Sequence, residues 1–185
     1  GQKGIDLSKT DINSINKTID IELGQGKNVI QISVQNISGA ESLKQTVEVE
    51  KDSLIIKPNL YIIGVGIKNY QDSSMNLKYS DKDIRDIANL YGSSSAYGKV
   101  YIDTFLNASA TKNILSQIRQ RLESTSIHDQ VIFMYSGHGI LDDSLDYYLT
   151  THDIDFLKPS TKGIPYEAVD ELLDNIPARQ KLVLI

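Results

Sequence analysis

Four apolar runs constrain this chain more than anything else in it: LYIIGVG at 60–66, KVYIDTFL at 99–106, QVIFMYS at 130–136 and KLVLI at 181–185. Each has strand length, and the first, ending in glycines, suits a strand buried on both faces. Between them the spacing turns helical. In SDKDIRDIANLY (80–91), Ile84, Ile87, Ala88 and Tyr91 share one face, and Ser80 with Asp83 three residues on forms a capping-box pattern. Residues 109–125 put Ile114, Leu115, Ile118 and Leu122 on one stripe, and GIPYEAVDELLDNI (163–176) places Pro165 near the start of a third helix. DYYLTTHD (146–153) reads as a short strand or hairpin. Strands alternating with helices at this spacing imply right-handed crossovers and a mainly parallel sheet with helices on its faces, an α/β fold. Sites in such sheets form beyond the carboxyl ends of the strands. Gly64, Gly66 and the GHG turn after QVIFMYS would all lie there.

Residues 1–52 follow a different pattern. KTIDIEL, NVIQISVQN and SLKQTVEVE are short and rich in Ile, Val and Thr, and GQGKN and ISGAES between them carry turn residues. Three antiparallel strands are expected, far short of the roughly seven of a sandwich. The module is either truncated or leans on its neighbour. The boundary falls within KDSLIIKPNL (51–60), and a second domain runs from 59 to 185.

Composition narrows the classes. With 185 residues, 40% of them hydrophobic, the chain can bury a sizeable core. Its net charge of −5, with cations scattered among acids, gives no basic stripe for nucleic acid. No apolar stretch approaches the roughly 20 residues of a membrane helix, and the first residues lack the order of a signal peptide. There is no cysteine, so packing alone must hold the fold, which fits a reducing, cytoplasmic compartment.

The chemistry-bearing candidate is His138, between Gly137 and Gly139 at the end of an apolar strand. An imidazole there can act as a general base or partner a nucleophile near neutral pH; it can equally be a turn histidine bonded to backbone. Gly139 can turn its N–H toward an oxyanion, since the absence of Cβ permits close approach, though most such glycines merely permit a turn. Asp81, an acid in the first turn of a helix, suits the macrodipole. His128 and His152 lack metalloprotease spacing and read as surface residues. Gly64-Val-Gly66 has no third glycine in the dinucleotide register.

YSGHG after an apolar strand resembles the histidine motif of the caspase-like cysteine peptidases, a group of caspases, metacaspases and bacterial relatives. LYIIGVGIKNY followed by LKYSDKDIRDIANLY is similar to their first strand and helix, and IPARQKLVLI to the strand that runs into the cysteine-bearing motif. GKNVIQISV resembles part of an immunoglobulin-like module that often precedes the peptidase in bacterial members. The resemblance covers residues 59–185 and implies a Cys-His dyad: the histidine matching His138 assists a thiolate, and N–H groups near Gly139 hold the oxyanion. Asp81 matches the aspartate by which metacaspases bind a basic residue at the cleavage position, and Arg85 is expected to face solvent. The family places its cysteine a few residues beyond Ile185, so the chain as given is expected to be inactive and to stop short of the last strands. No cofactor is expected. Calcium, which some metacaspases bind, would fall to Asp153 and Asp155, or to Asp142, Asp143 and Asp146, but EF-hand order is lacking and a solvated loop is favoured.

The implied function is a caspase-like endopeptidase preferring a basic residue, whose partners are peptide or protein substrates and upstream or C-terminal segments of the same parent. Two alternatives stay open: an inactive caspase-like interaction module, and an unrelated flavodoxin-like α/β binding domain.

Overall fold

The computed structural model describes residues 17–36, 38–52 and 57–185. They divide into two compact units, one up to Ile56 and the other from Lys57. In the first, β1 (Gly26–Ile32) and β2 (Gln45–Lys51) form an antiparallel hairpin in which Ile30 faces Val47 and Asn28 faces Val49. KTIDIEL forms no strand, which corrects the three-strand expectation. Its alternation, like that of the other two, marks a segment fit for a strand, but an extended segment becomes one only by pairing.

The second unit is built on a four-stranded parallel sheet in the order β4-β3-β5-β9, with β3 at Leu60–Gly66, β4 at Val100–Leu106, β5 at Gln130–Ser136 and β9 at Gln180–Leu184. All seven residues of β3 are buried, as a central strand covered on both faces requires. Helix α1 (Ser80–Gly92) lies on one face. A side chain at Gly64 would overlap Ile84, and one at Gly66 would come within 2.8 Å of both Ile84 and the Ser80 carbonyl. The two glycines therefore let the helix sit directly on the sheet. On the other face, Tyr61, Ile63, Val65, Val131, Phe133 and Tyr135 form one core with α2 (Ile114–Leu122) and α4 (Tyr166–Asp174).

Two local expectations change. The stripe predicted over 109–125 is helical only from 114 to 122; a 3-10 turn at Asn107–Ser109 precedes it, and Asn107 adopts positive φ. Ser80 is not a cap either. It is the first helical residue, only 4% exposed, while Tyr79 stands at the cap position without a side-chain bond. The close approach to Gly66 buries Ser80, and the Asp83 carboxylate turns to the Ser136 hydroxyl instead, 3.3 Å away.

Beyond the carboxyl ends, β6 (Gly139–Leu141), β7 (Tyr147–Leu149) and β8 (Ile164–Pro165) form a small antiparallel sheet in that order, and a four-residue helix, α3 (Pro159–Lys162), leads into β8. DYYLTTHD is thus the return strand of a hairpin that begins at Gly139. Among the described residues, no helix is long and apolar enough to cross a membrane.

Candidate active site

The strand β5 carries YSGHG out of the sheet core. Neither glycine has positive φ; both stand close against tyrosine rings. A Cβ at Gly137 would strike the Tyr135 ring and come 3.0 Å from the Tyr70 hydroxyl, and one at Gly139 would strike the Tyr147 ring. The glycines are there so that aromatic side chains can press against the backbone on either side of His138.

His138 is half-buried and held by its main chain. Its N–H donates to the Tyr70 hydroxyl at 2.9 Å, and its carbonyl accepts from the Thr150 N–H at 3.0 Å, the Thr150 hydroxyl at 2.9 Å and the Tyr135 hydroxyl at 2.7 Å. Tyr70 and Thr150 are joined at 2.8 Å. The Tyr135 hydroxyl also lies 3.0 Å from the Thr150 hydroxyl, so the three hydroxyls and the main-chain N–H and carbonyl of His138 form one closed hydrogen-bonded cluster. Burial pushes the Tyr135 hydroxyl well above the ordinary tyrosine range, with the neighbouring Tyr70 adding to it, so it stays a neutral donor.

The ring is fixed as well. Nε2 lies 2.9 Å from the Met75 carbonyl, which can only accept, so Nε2 carries the proton and Nδ1 is the basic nitrogen of the neutral ring. Tyr70 packs obliquely against the imidazole at 5.2 Å between centroids and Phe156 meets it edge-on at 6.1 Å. The loop that presents Tyr70 is itself tied down. Asn76 Oδ1 accepts the Tyr70 N–H at 2.7 Å, and Asn107 Oδ1 accepts from Lys68 and Asn69, each at 2.9 Å. His152 also anchors this loop, with its Nδ1 lying 2.7 Å from the Asn69 carbonyl in an exposed bond, so a histidine read as a surface residue also ties the loop down. It is half-buried.

Gly139 is exposed and paired with Leu149. The bonds from Thr150 to the His138 carbonyl and from Asp142 N–H to the Asp146 carbonyl fix the alternation of this ladder. They make Gly139 a member of a non-hydrogen-bonded pair, whose N–H points away from β7. Asp81, in the first turn of α1, is half-buried, and its carboxylate has no hydrogen bond or ion pair among the described residues. Asp83, two residues on, reaches Ser136 and so ties this end of α1 to the end of β5. Arg85 is exposed.

The calcium candidates do not converge. Asp153 accepts from Thr151 at 3.0 Å and pairs with Lys162 at 3.2 Å, while Asp155 accepts the Leu157 N–H at 2.9 Å. Burial alone would raise the Asp153 carboxyl, but the bonds from Lys162 and Thr151 outweigh it and hold it below its ordinary value. Asp142 accepts the N–H groups of Ser144 and Asp146. Among the described residues, no three acidic, histidine or cysteine side chains gather as metal ligands.

Sequence reasoning named His138 and Gly139 but missed Tyr70, Thr150, Phe156 and the Met75 carbonyl. Tyr70 alone left a signal, as the tyrosine four residues after the G-x-G of β3. The others come from distant segments, and a backbone carbonyl has no residue signature.

The model of the caspase domain family matches residues 61–185. The chain belongs to that family. A solved structure, the protein GSU0716 from Geobacter sulfurreducens, is similar at 16% identity with a TM-score of 0.54, over 68% of this chain and 48% of that one. At this identity the likeness bears on the fold, and the chain spans about half the length of that structure. No curated protein matches. Cysteine peptidase chemistry is the caspase domain's activity at the level of the family.

Proposed function

We propose that the caspase domain unit is the histidine-bearing part of a cysteine endopeptidase that cleaves next to a basic residue. The observation that carries this reading is the state of His138: its proton is committed to the Met75 carbonyl on Nε2, which leaves Nδ1 to serve as a base at the carboxyl edge of the sheet. The thiol must come from outside these 185 residues, none of which is cysteine. Strand β9 runs parallel to β5 with Leu184 opposite Met134. Chain leaving β9 in the same direction is thus delivered level with Ser136 and the GHG turn, one strand spacing of about 4.8 Å away.

In the reaction, Nδ1 takes the thiol proton as sulfur attacks the scissile carbonyl, and the Gly139 N–H receives the oxyanion. The imidazolium then protonates the leaving amine as the C–N bond breaks, and water hydrolyses the acyl-enzyme. Asp81 supplies the acidic side of the specificity pocket. Its carboxylate, without a hydrogen bond or ion pair among the described residues and at the same edge of the sheet, supports this role.

The test is cleavage of arginyl and lysyl peptides by the full-length parent protein and by its His138→Ala variant. Loss of cleavage in the variant is expected. Undiminished cleavage, or a parent that cleaves nothing and has no cysteine after β9, would leave an inactive interaction module as the reading.

A further inference from the structure

Strand β6 begins at the residue after His138 and lies at the margin of its sheet, in the order β6-β7-β8. Its pairing alternates. Ile140 faces Tyr148 across a hydrogen-bonded pair, while Gly139 and Leu141 occupy non-hydrogen-bonded pairs with Leu149 and Tyr147. The N–H and C=O of Gly139 and Leu141 therefore point outward, and among the described residues nothing bonds to them. Gly139 is exposed and Leu141 is 55% exposed.

We propose that this open edge is a docking strand for an extended stretch of the polypeptide substrate on one side of the scissile bond. The inference rests on the endopeptidase reading and deepens it. An unpaired row of alternating donors and acceptors is satisfied by an extended backbone and by little else. The row is continuous with the candidate site, because the N–H proposed to receive the oxyanion is its first member. A peptide whose scissile carbonyl sits on the Gly139 N–H has its next backbone groups opposite the Gly139 carbonyl and the Leu141 N–H. Recognition at this edge reads backbone geometry, with side-chain contact limited to the exposed faces of Leu141 and Tyr147, which are 55% and 37% exposed. Between Gly139 and Thr151 there are three aspartates and no lysine or arginine, so the docked segment is disfavoured if acidic.

Two measurements separate this inference from the reading beneath it. The first uses the 185-residue chain itself, with an acetylated, amidated hexapeptide containing one arginine as probe. Amide hydrogen exchange at Gly139 and Leu141 should slow at saturating peptide, with Ile140 unchanged; a flat response overturns the docking strand whether or not the parent is a peptidase. The second is a scan of the same hexapeptide, N-methylated at one residue at a time, against the full-length protein. Loss of about tenfold in kcat/KM at alternate residues on one side of the cleaved bond supports the strand, as expected for single lost hydrogen bonds. Equal tolerance at every position overturns it while leaving the peptidase intact. Leu141→Pro removes the outward N–H without touching the β7 ladder, a position where an edge strand accepts proline. It should abolish the exchange protection at Gly139.

Discussion

The main-chain N–H of His138 donates to the side-chain hydroxyl of Tyr70, 68 residues earlier in the chain, at 2.9 Å. A histidine that is to exchange protons with a nucleophile needs a defined position and a defined tautomer; the Met75 carbonyl sets the tautomer, and Tyr70 contributes to the position through its hydroxyl and its ring. Tyr70→Phe keeps the ring and removes the acceptor. We expect a loss of about 1 kcal/mol in stability, read by denaturant unfolding, and a change in the 15N shifts of the His138 ring in the isolated chain. Thr150→Val interrupts the same set of bonds, so the double variant should cost less than the sum of the singles. Additive losses with an unchanged ring spectrum would reduce Tyr70 to a core tyrosine.

For the proposed preference for a basic residue, Asp81→Asn tests charge apart from shape. In the full-length protein it should lower kcat/KM for arginyl and lysyl peptides at least tenfold more than for neutral ones, the scale of a lost charge-assisted hydrogen bond of about 1.5–3 kcal/mol. An equal fall for both classes would make Asp81 a helix-start residue only.

The two glycines of β3 make a contrasting pair. Gly64→Ala meets only the Ile84 side chain, whereas Gly66→Ala meets Ile84 and the Ser80 carbonyl. Each should cost about 1–3 kcal/mol from overpacking. Ile84→Ala should relieve the first in a double-variant cycle and fail to relieve the second, because a backbone oxygen cannot be trimmed. Calorimetric melting of the single and double variants decides it.

Asp153 carries a pH signature. Its carboxyl is held below the ordinary carboxylate value in the folded chain, so the stability it contributes is complete above the unfolded value of about 3.9 and is lost as pH falls through the lower, folded value. Asp153→Asn should lower stability at pH 7 and flatten the acid limb of the stability curve. A parallel displacement of the whole curve would deny the ion pair with Lys162 any part in it.

The runs LYIIGVG and QVIFMYS became strands with the expected bounds because a central parallel strand is apolar at every position, a pattern no turn or surface helix imitates. The helix at 80–91 was equally legible from its buried stripe. Legibility failed where the outcome depends on a distant partner. KTIDIEL has the alternation of a strand but pairs with no strand among the described residues, and Ser80 has the chemistry of a cap but is pressed onto Gly66. The candidate site divides in the same way. The GHG turn announces itself locally, whereas the carbonyl of Met75 and the hydroxyls of Tyr70 and Thr150 reach His138 only through the fold.

The hydrogen bonds around His138 start at an amide and end at a carbonyl of the same residue. Both ends are main-chain groups, so the imidazole itself is not a member of the loop. Such a loop cannot relay a proton from the ring. In the proposed reaction, a proton gained at Nδ1 therefore has no route out through Tyr70 or Thr150. The same bonds that immobilise the histidine therefore also insulate it from the core beneath.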